Sequence, residues 1–361
     1  MKDEVTLMKG NEALAMAAIR YGADAYFGYP ITPQSEVLEK LEEEMPWETP
    51  GMVVLQAESE VAAINMVYGG AMTGKAVCTS TSSPGFSLMQ EGVSYLAASE
   101  VPALLINVQR GGPGLGTIHA SQADYFQACK GGGHGDYHMI VLAPSSVQEM
   151  ADMVALGFDL AFKYRCVSMI LADGTIGQLM EKVVLPEQRP RRTDDEIREQ
   201  CPWAVNGRKG MRPSNVVTSL ELDDDKMEEN NWRFQACYRE IEKNETRCEL
   251  IDVEDCDYLI TAFGTTARVA MKTMELARAE GIKVGMFRPI TLWPFPEKQL
   301  REAAKNVKGI LCVELNAGQM VEDVKLAVEC KMPVEHYGRF GGNVPTPDEL
   351  LNVLKEKLIN K

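Results

Sequence analysis

Four polar residues of the sequence stand where strand-like patterns end. Thr32 lies between two prolines, Glu58 and Glu60 open a helical pattern, and Arg110 precedes a glycine-rich run. In open α/β sheets, ligands bind in the crevice outside the carboxyl ends of the strands. The sequence therefore predicts that a hydroxyl, a carboxylate and a guanidinium meet on one rim of a sheet.

Each of these residues also has an ordinary structural explanation. A threonine between prolines, such as Thr32, is typical of a turn. A carboxylate such as Glu60 is favoured in a first helical turn by the helix dipole. Arg110 is compatible with a surface ion pair, and the glycines after it with positive φ angles in a tight loop. Only the joint placement of these residues indicates a site.

Strand-like and helical patterns alternate through the first half of the chain, which is typical of a parallel sheet covered by helices on both faces. The predicted strands are Ala25–Gly28, Met52–Gln56, Ala76–Thr81, Ala103–Gln109, Met139–Ala143 and Val167–Leu171. Asn11 is expected to cap the first helix, and Ser146 with Glu149 to form a capping box.

The alternation breaks after residue 174 and resumes near residue 255. Between them lies a segment dense in charge, which we interpret as an ordered connector that wraps the first domain. The later predicted strands are Tyr258–Ala262, Val284–Phe287, Ile310–Val313 and Val334–Tyr337. The expected organisation is α/β throughout, with a first domain over 1–174, the connector over 175–254 and a smaller second domain over 255–361.

Composition disfavours several classes of function. The formal net charge of -15 opposes binding to nucleic-acid phosphates. No apolar run approaches the roughly 20 residues that span a bilayer, and the charged start leads into no signal-like stretch. We therefore expect a cytoplasmic protein without a membrane partner. Nine scattered cysteines, with no Cys-x-x-Cys pair, predict neither a disulfide framework nor a metal or iron–sulfur site on this chain.

Two nucleotide-binding patterns are rejected. Gly69–Ala76 resembles a phosphate-binding loop, but Ala76 replaces the Ser or Thr that reaches magnesium, and the segment ends a helix instead of opening one. Gly74 is expected to act as the C-cap of that helix. No Gly-x-Gly-x-x-Gly follows a strand near the start, which disfavours an unrelated α/β dehydrogenase.

Several multi-residue motifs, in order along nearly the whole chain, resemble the 2-oxoacid:ferredoxin oxidoreductase family. They are Tyr29–Pro33, Glu58–Glu60, Ser82–Glu91 and Val108–Pro113, with Gly264–Thr266 and Arg288–Pro289 in the second half. The resemblance implies a thiamine-diphosphate-binding-fold pyrimidine domain, followed by a transketolase C-terminal-like domain. It also implies that this chain is the alpha-type subunit of such an enzyme.

The resemblance implies roles for the residues on the predicted rim. Glu60 matches the carboxylic acid that binds a ring nitrogen of the cofactor's pyrimidine and favours its reactive tautomer, with Glu58 as the alternative. Tyr29, Pro30 and Ser83 fall in the motifs that surround the cofactor. Arg110 matches the arginine that holds the 2-oxoacid carboxylate, for which a bidentate guanidinium suits the geometry, and Thr32 matches a hydroxyl near the substrate.

The family holds the cofactor's diphosphate through magnesium, usually with a Gly-Asp-Gly motif, and this sequence contains no such motif. The resemblance therefore implies a beta-type partner subunit that carries the diphosphate and Mg²⁺. It also implies iron–sulfur (ferredoxin-like) and gamma-type partner subunits, with the iron–sulfur clusters outside this chain. The family reaction converts a 2-oxoacid and coenzyme A into acyl-CoA and CO2 and reduces ferredoxin.

Gly111–Gly116 and Lys130–Tyr137 look like the branched-chain members, which act on 3-methyl-2-oxobutanoate (2-ketoisovalerate). Between Gly111 and Cys129 there is no Lys or Arg to pair a second substrate carboxylate, whereas Leu115 and Ile118 are suited to an apolar pocket. His119, Lys130 or a partner's cation remain as sources of charge, so a 2-oxoglutarate enzyme is the alternative. A non-catalytic interaction protein of the same fold is a further one.

Overall fold

The computed structural model describes residues 5–208, 210 and 212–360. Its strands are β1 (Val5–Lys9), β2 (Ala25–Gly28), β3 (Val53–Gln56), β4 (Val77–Thr81), β5 (Ala103–Gln109), β6 (Ile140–Leu142), β7 (Val167–Asp173), β8 (Met180–Val184), β9 (Cys248–Ile251), β10 (Tyr258–Thr261), β11 (Val284–Pro289), β12 (Thr291–Trp293), β13 (Gly309–Glu314) and β14 (Val334–Gly338).

The helices of the described residues cover both faces of the sheets. They are α1 (Gly10–Tyr21), α2 (Ser35–Glu44), α3 (Glu60–Ala71), α4 (Ser83–Ala98), α5 (Tyr125–Cys129), α6 (Val147–Tyr164), α7 (Gly174–Gln178), α8 (Asp194–Gln200), α9 (Asp224–Asn244), α10 (Gly264–Ala279), α11 (Glu297–Ala303), α12 (Met320–Ala327) and α13 (Pro347–Leu354), with a π-helical turn at Lys355–Ile359.

The larger sheet has the strand order β12-β6-β7-β5-β4-β2-β3. All of its neighbouring strands pair in parallel except β12, which runs antiparallel to β6. The central strands β5 and β7 are buried along their whole length, as their continuous apolar runs predict for a sheet covered on both faces. The carboxyl ends of β2, β3, β4 and β5 therefore lie along one edge.

The second sheet has the order β14-β13-β10-β11-β9, parallel except for the edge strand β9. The alternating α/β fold that the sequence predicts is thus confirmed in both halves. The main hydrophobic cluster includes Leu104 and Ile170 of the larger sheet together with Leu259 and Phe287 of the second. The domain boundaries at residues 174 and 254 remain a prediction.

The connector forms regular structure in its described residues. Strand β8 pairs with β1 in an antiparallel ribbon, and α9 packs through Phe234, Tyr238 and Ile241. Ile197 and Cys201 belong to a small separate cluster around α8. The connector therefore lies against the first half of the chain, and β12 links the second half to the larger sheet.

Three local predictions need correction. The first helix begins at Gly10 directly after β1, so Lys9 and not Asn11 occupies the N-cap position. The Ser146 hydroxyl caps α6 as predicted, but the Glu149 carboxylate bonds to Ser145, so the capping box is incomplete.

The third correction concerns Gly74. The C-cap of α3 is Met72, and Gly74 follows with a φ of +82°, where it completes the turn into β4. A glycine is required there because left-handed backbone is unfavourable for other residues. The segment ends a helix and enters a strand, which agrees with the rejection of a phosphate-binding loop.

Candidate functional site

The loop after β3 turns one of its two carboxylates inward. Ser59 is the N-cap of α3, and its hydroxyl accepts a hydrogen bond from the Ala62 amide at 3.2 Å. This cap places Glu60 in the first turn, where its side chain is only 6% exposed, whereas Glu58 is exposed. Of the two acids that the sequence offers, Glu60 is the one held in a buried environment.

The space around Glu60 depends on a glycine in α4. A Cβ atom at Gly85 would lie 2.6 Å from Glu60 Oε1 and 2.2 Å from the hydroxyl of Thr81, distances that no side chain tolerates. The Thr81 hydroxyl is buried and has no hydrogen-bond partner. Gly85 therefore allows the Glu60 and Thr81 side chains to pack directly against the backbone of α4. The sequence indicated Gly85 only as a turn residue.

Arg110 and Thr32, which were predicted to act on the same substrate, lie together. Arg110 is buried to 9% exposure, and its Nη1 donates a hydrogen bond of 3.0 Å to the backbone carbonyl oxygen of Thr32. Its Nε is also buried and has no partner. The Thr32 side chain is exposed. The guanidinium is thus fixed against the Thr32 loop while part of its donor capacity is unused.

Buried polar side chains hold the loop that contains Thr32 in place through hydrogen bonds. The Ser80 hydroxyl lies 2.6 Å from the Tyr26 hydroxyl and 2.6 Å from Gln34 Oε1, and Gln34 Nε2 donates to the carbonyl oxygen of Tyr29 at 3.2 Å. Burial raises the pKa of Tyr26, so its phenol remains protonated. This series of hydrogen bonds fixes the position of the Tyr29 carbonyl group. Tyr29 and Pro30 themselves are half-buried.

Asn11 donates hydrogen bonds to the same loop instead of capping a helix. Its Nδ2 donates to the carbonyl oxygen of Pro33 at 2.6 Å and to Glu36 at 3.0 Å. Gln178 Nε2 also donates to the Pro33 carbonyl, at 3.0 Å. Helices α1 and α7 therefore hold the end of the loop, and the Thr32–Pro33 peptide bond is cis.

Ser83, predicted near the cofactor, has its hydroxyl engaged by the Arg110 loop. Ser83 Oγ lies 3.0 Å from the amide of Arg110 and 2.6 Å from Asp124 Oδ2. Asn107 Nδ2 donates to the same carboxylate oxygen at 2.9 Å. Burial raises the pKa of Asp124, while the hydrogen bonds from Ser83 and Asn107 lower it in part. No motif in the sequence singled out Asp124.

The loop from Gly111 to Ala120 is closed at its base. Arg110 and Ala120 form an isolated antiparallel bridge, and the Gly111 amide donates to the carbonyl oxygen of His119 at 2.9 Å. At the tip, Leu115 is 82% exposed and Ile118 is 56% exposed. Within this chain, these two side chains do not form the enclosed apolar pocket that the sequence suggested.

The second half of the chain docks onto this loop. The Gln122 side chain donates to the Phe263 carbonyl oxygen at 2.7 Å and accepts from the Leu315 amide at 3.0 Å. Near it, the buried Asp173 carboxylate accepts bonds from the Thr265 amide at 2.8 Å and its hydroxyl at 2.5 Å. The motif at Gly264–Thr266 thus lies at the contact between the two halves.

A cavity of about 570 Å³ adjoins Thr32 and is bounded by both halves. Its lining includes Ile118, Leu179 and Glu36. Burial tends to raise the pKa of Glu36, but hydrogen bonds from its neighbours outweigh that effect and lower it, so the carboxylate is charged.

Two residues that could supply positive charge near the loop already have partners. Lys130 forms an ion pair with Asp323, and the ring Nδ1 of His119 lies 2.9 Å from the Thr117 hydroxyl. Among the residues that the structure describes, no group of three or more His, Cys, Asp or Glu side chains is arranged to hold a metal ion. None of the helices in the described ranges has the length and apolar character needed to cross a membrane.

A parallel sheet with a buried glutamate and a buried arginine at its carboxyl edge is the arrangement that the thiamine-diphosphate-binding α/β class requires. Residues 16–244 match the family model described as pyruvate flavodoxin/ferredoxin oxidoreductase, thiamine diphosphate-binding. Residues 256–350 match the model for pyruvate:ferredoxin oxidoreductase core domain II. The chain belongs to the 2-oxoacid:ferredoxin oxidoreductase family, as its motifs predicted.

Relatives resemble the chain over nearly its whole length. It is 48% identical over 351 residues to the ketoisovalerate oxidoreductase subunit VorB of Methanothermobacter marburgensis, with 97% of each chain covered. It is 35% identical over 373 residues to the 2-oxoglutarate synthase subunit KorA of the same organism, with 97% of this chain and 98% of that one covered.

Among solved structures, the 2-oxoglutarate:ferredoxin oxidoreductase from Magnetococcus marinus, with 2-oxoglutarate, coenzyme A and succinyl-CoA bound, superposes with a TM-score of 0.84 at 29% identity. The match covers 99% of this chain and 65% of that one, so the chain spans about two thirds of the solved chain's length. An inactive split-gene transketolase shares the fold, with a TM-score of 0.61 at 13% identity, 97% of this chain and 98% of that one being covered.

Proposed function

We propose that this chain is the pyrimidine-side, alpha-type subunit of an enzyme that oxidatively decarboxylates a branched-chain 2-oxoacid. The products are acyl-CoA and CO2, and ferredoxin is reduced. The observation that carries the proposal is the placement of Arg110, buried against the Thr32 loop on the same sheet edge as the buried Glu60.

Glu60 and its surroundings fit the pyrimidine half of thiamine diphosphate. The Glu60 carboxylate packs against Gly85, where a Cβ atom would lie 2.6 Å from it, and the buried Thr81 hydroxyl, also beside Gly85, has no hydrogen-bond partner. When bound, the cofactor supplies the carbanion that attacks the 2-oxo carbon. Glu60 would hold a proton between its carboxylate and a pyrimidine ring nitrogen, and its buried position keeps water from competing for that bond.

Arg110 and Thr32 would bind and orient the 2-oxoacid. A guanidinium pairs a carboxylate with two parallel hydrogen bonds, which fixes both position and direction. The support of the Thr32 loop by Gln34, Asn11 and Gln178 keeps that geometry before the substrate arrives. Preorganisation of this kind lowers the entropy lost in forming the reactive arrangement.

The other half of the site would come from a beta-type partner subunit that holds the diphosphate and Mg²⁺. The absence of a Gly-Asp-Gly motif supports this split. Exposed apolar side chains on β3, α3 and α4 support it as well, because a partner subunit would cover them. They are Val53, Leu55, Val61, Met66 and Leu88. The iron–sulfur clusters would lie on ferredoxin-like and gamma-type partners.

A branched-chain substrate is supported by three observations. The relative with 48% identity is a ketoisovalerate oxidoreductase subunit, whereas the 2-oxoglutarate synthase subunit has 35%. Lys130 is already paired with Asp323. Glu36, which lines the cavity beside Thr32, forms an ion pair with Lys9 at 3.3 Å, so Lys9 is engaged as well.

The test is reconstitution. The chain is mixed with beta- and gamma-type and iron–sulfur subunits, and viologen reduction is followed with a 2-oxoacid, coenzyme A, Mg²⁺ and thiamine diphosphate. Turnover that requires every component supports the proposal. An assembled complex that reduces no acceptor with any 2-oxoacid would refute it and would favour a non-catalytic protein of the same fold.

A further inference from the structure

We propose that Asp124 is a positioning residue for the substrate-binding arginine: through the hydroxyl of Ser83 it fixes the backbone of Arg110. The inference rests on the proposed function, since it assigns a cause to the orientation of the residue that would bind the 2-oxoacid carboxylate. Asp124 lies 14 positions after Arg110 and contacts it only through Ser83.

The Ser83 hydroxyl has one hydrogen to donate. Two acceptors are within reach: Asp124 Oδ2 at 2.6 Å and the Arg110 carbonyl oxygen at 3.2 Å. The shorter bond to a carboxylate is the stronger one. With its hydrogen directed to Asp124, the hydroxyl oxygen accepts the bond from the Arg110 amide at 3.0 Å. Asp124 therefore decides which way Ser83 faces.

Asp124 is itself held in place by hydrogen bonds. Its carboxylate receives Asn107 Nδ2 at 2.9 Å, and its amide donates to Gln109 Oε1 at 3.1 Å. Gln109 Nε2 in turn donates to the Ala172 carbonyl oxygen of β7 at 3.2 Å. Asp124 is thus tied to β5 and, through Gln109, to β7, two strands that are buried along their whole length.

Arg110 is the first residue after β5, where the ladder of the sheet ends, and its guanidinium has one fixed contact, to the Thr32 carbonyl oxygen. The direction of its Cα–Cβ bond is therefore set by the backbone contacts at residue 110. These are the bridge to Ala120 and the bond to Ser83.

The charge of Asp124 would otherwise be unfavourable. Its carboxylate is bound by two neutral donors and, in the described part of the chain, by no Lys, Arg or His side chain. Burying such a group without a cation is costly unless its hydrogen bonds are maintained. A role in orienting Arg110 gives this arrangement a function.

The test uses the reconstituted complex and four variants: Asp124→Ala, Ser83→Ala, their double mutant and Asp124→Asn. Asp225→Ala, on the exposed first turn of α9, is the control. Asp124→Ala is expected to raise KM for the 2-oxoacid about ten-fold, the loss of one charged hydrogen bond, with kcat and the KM for thiamine diphosphate little changed. Asp124→Asn keeps an acceptor oxygen for Ser83 and should restore the KM.

Because both residues act on one bond, the double mutant should be no worse than the poorer single mutant. An unchanged KM in Asp124→Ala, a fall in kcat at constant KM, or multiplied effects in the double mutant would each overturn the inference. If the Tm of Asp124→Ala shows that this variant does not fold, KM for the 2-oxoacid and kcat are compared in Ser83→Ala instead.

A second readout does not depend on turnover. Phenylglyoxal modifies accessible guanidinium groups, and the labelling of Arg110 in the full-length chain is followed by mass spectrometry. Labelling should rise several-fold in Asp124→Ala and Ser83→Ala and stay at the wild-type level in Asp124→Asn and Asp225→Ala. Unchanged labelling in the alanine variants would overturn the inference. If the wild-type complex is inactive, the proposed function fails, and this labelling still decides the role of Asp124.

Discussion

The guanidinium of Arg110 donates a hydrogen bond of 3.0 Å to the backbone carbonyl oxygen of Thr32, a residue 78 positions earlier in the chain. The bond joins the loop after β5 to the loop after β2, two strands that are separated by β4 in the sheet. It brings together the two residues that the family motifs associate with the 2-oxoacid. The Thr32 hydroxyl takes no part in it, so that hydroxyl remains available to a substrate.

Glu60→Gln is expected to reduce turnover of the reconstituted complex by about a hundred-fold or more, because glutamine keeps the shape but cannot share a proton with the pyrimidine. Steady-state viologen reduction measures the loss, and size-exclusion chromatography checks that the complex still assembles. Glu58→Gln, at the exposed neighbour, is the matched control and should be near wild type. The reverse outcome would move the catalytic acid to Glu58.

Gly85→Ala is expected to displace the Glu60 side chain, since its Cβ would lie 2.6 Å from Glu60 Oε1. Overpacking of this kind costs about 1–3 kcal/mol, which urea unfolding measures, and turnover should fall as the carboxylate is displaced. Gly69→Ala in α3 is the control, because nothing lies within 4 Å of a Cβ atom there. Two variants of equal stability and activity would contradict the assigned role of Gly85.

The purified single chain should bind thiamine diphosphate weakly, even with Mg²⁺ present, because it offers only the pyrimidine side of the site. Isothermal titration calorimetry on the chain alone, and then on the assembled complex, measures the difference. Strong magnesium-dependent binding by the chain alone would show that the site is not divided between subunits.

The complex should prefer 3-methyl-2-oxobutanoate to pyruvate and both to 2-oxoglutarate when kcat/KM values are compared. The difference between the two apolar acids should be modest, because one methylene in an apolar pocket changes selectivity by only about 1–3 kcal/mol. The dicarboxylate should be rejected more strongly, since Lys9 and Lys130 are already paired with Glu36 and Asp323. If 2-oxoglutarate proves the best of the three, the alternative substrate class is correct.

Thr265→Val should destabilise the contact between the two halves of the chain. It removes the hydroxyl that donates to the buried Asp173 carboxylate at 2.5 Å, and the loss of a hydrogen bond to a charged group costs about 1.5–3 kcal/mol. Urea unfolding measures the change, with Thr6→Val in the β1–β8 ribbon as the control. Equal free energies of unfolding for the two variants would mean that the Asp173–Thr265 bond contributes little.

The sequence by itself determined the order and type of the main elements. Strand Ala103–Gln109 was predicted at its observed bounds, and the four later predicted strands lie within one or two residues of β10, β11, β13 and β14, whereas β1, β8, β9 and β12 were not predicted. Apolar runs between turn residues reflect local backbone preference and burial on both faces, which are visible along the chain. The family motifs were recognised in the same amino-acid sequence.

Only the tertiary structure decided which side chains face inward and what holds them. The family resemblance favoured Glu60 and left Glu58 as the alternative, and of these two acids the structure buries Glu60 alone. It also showed Asp124 beside Ser83, 41 positions away, and Gln122 beside Leu315, 193 positions away. Local periodicity carries no information about such pairs, because the direction of a loop side chain is set by the elements that pack against it, and these come from distant parts of the chain.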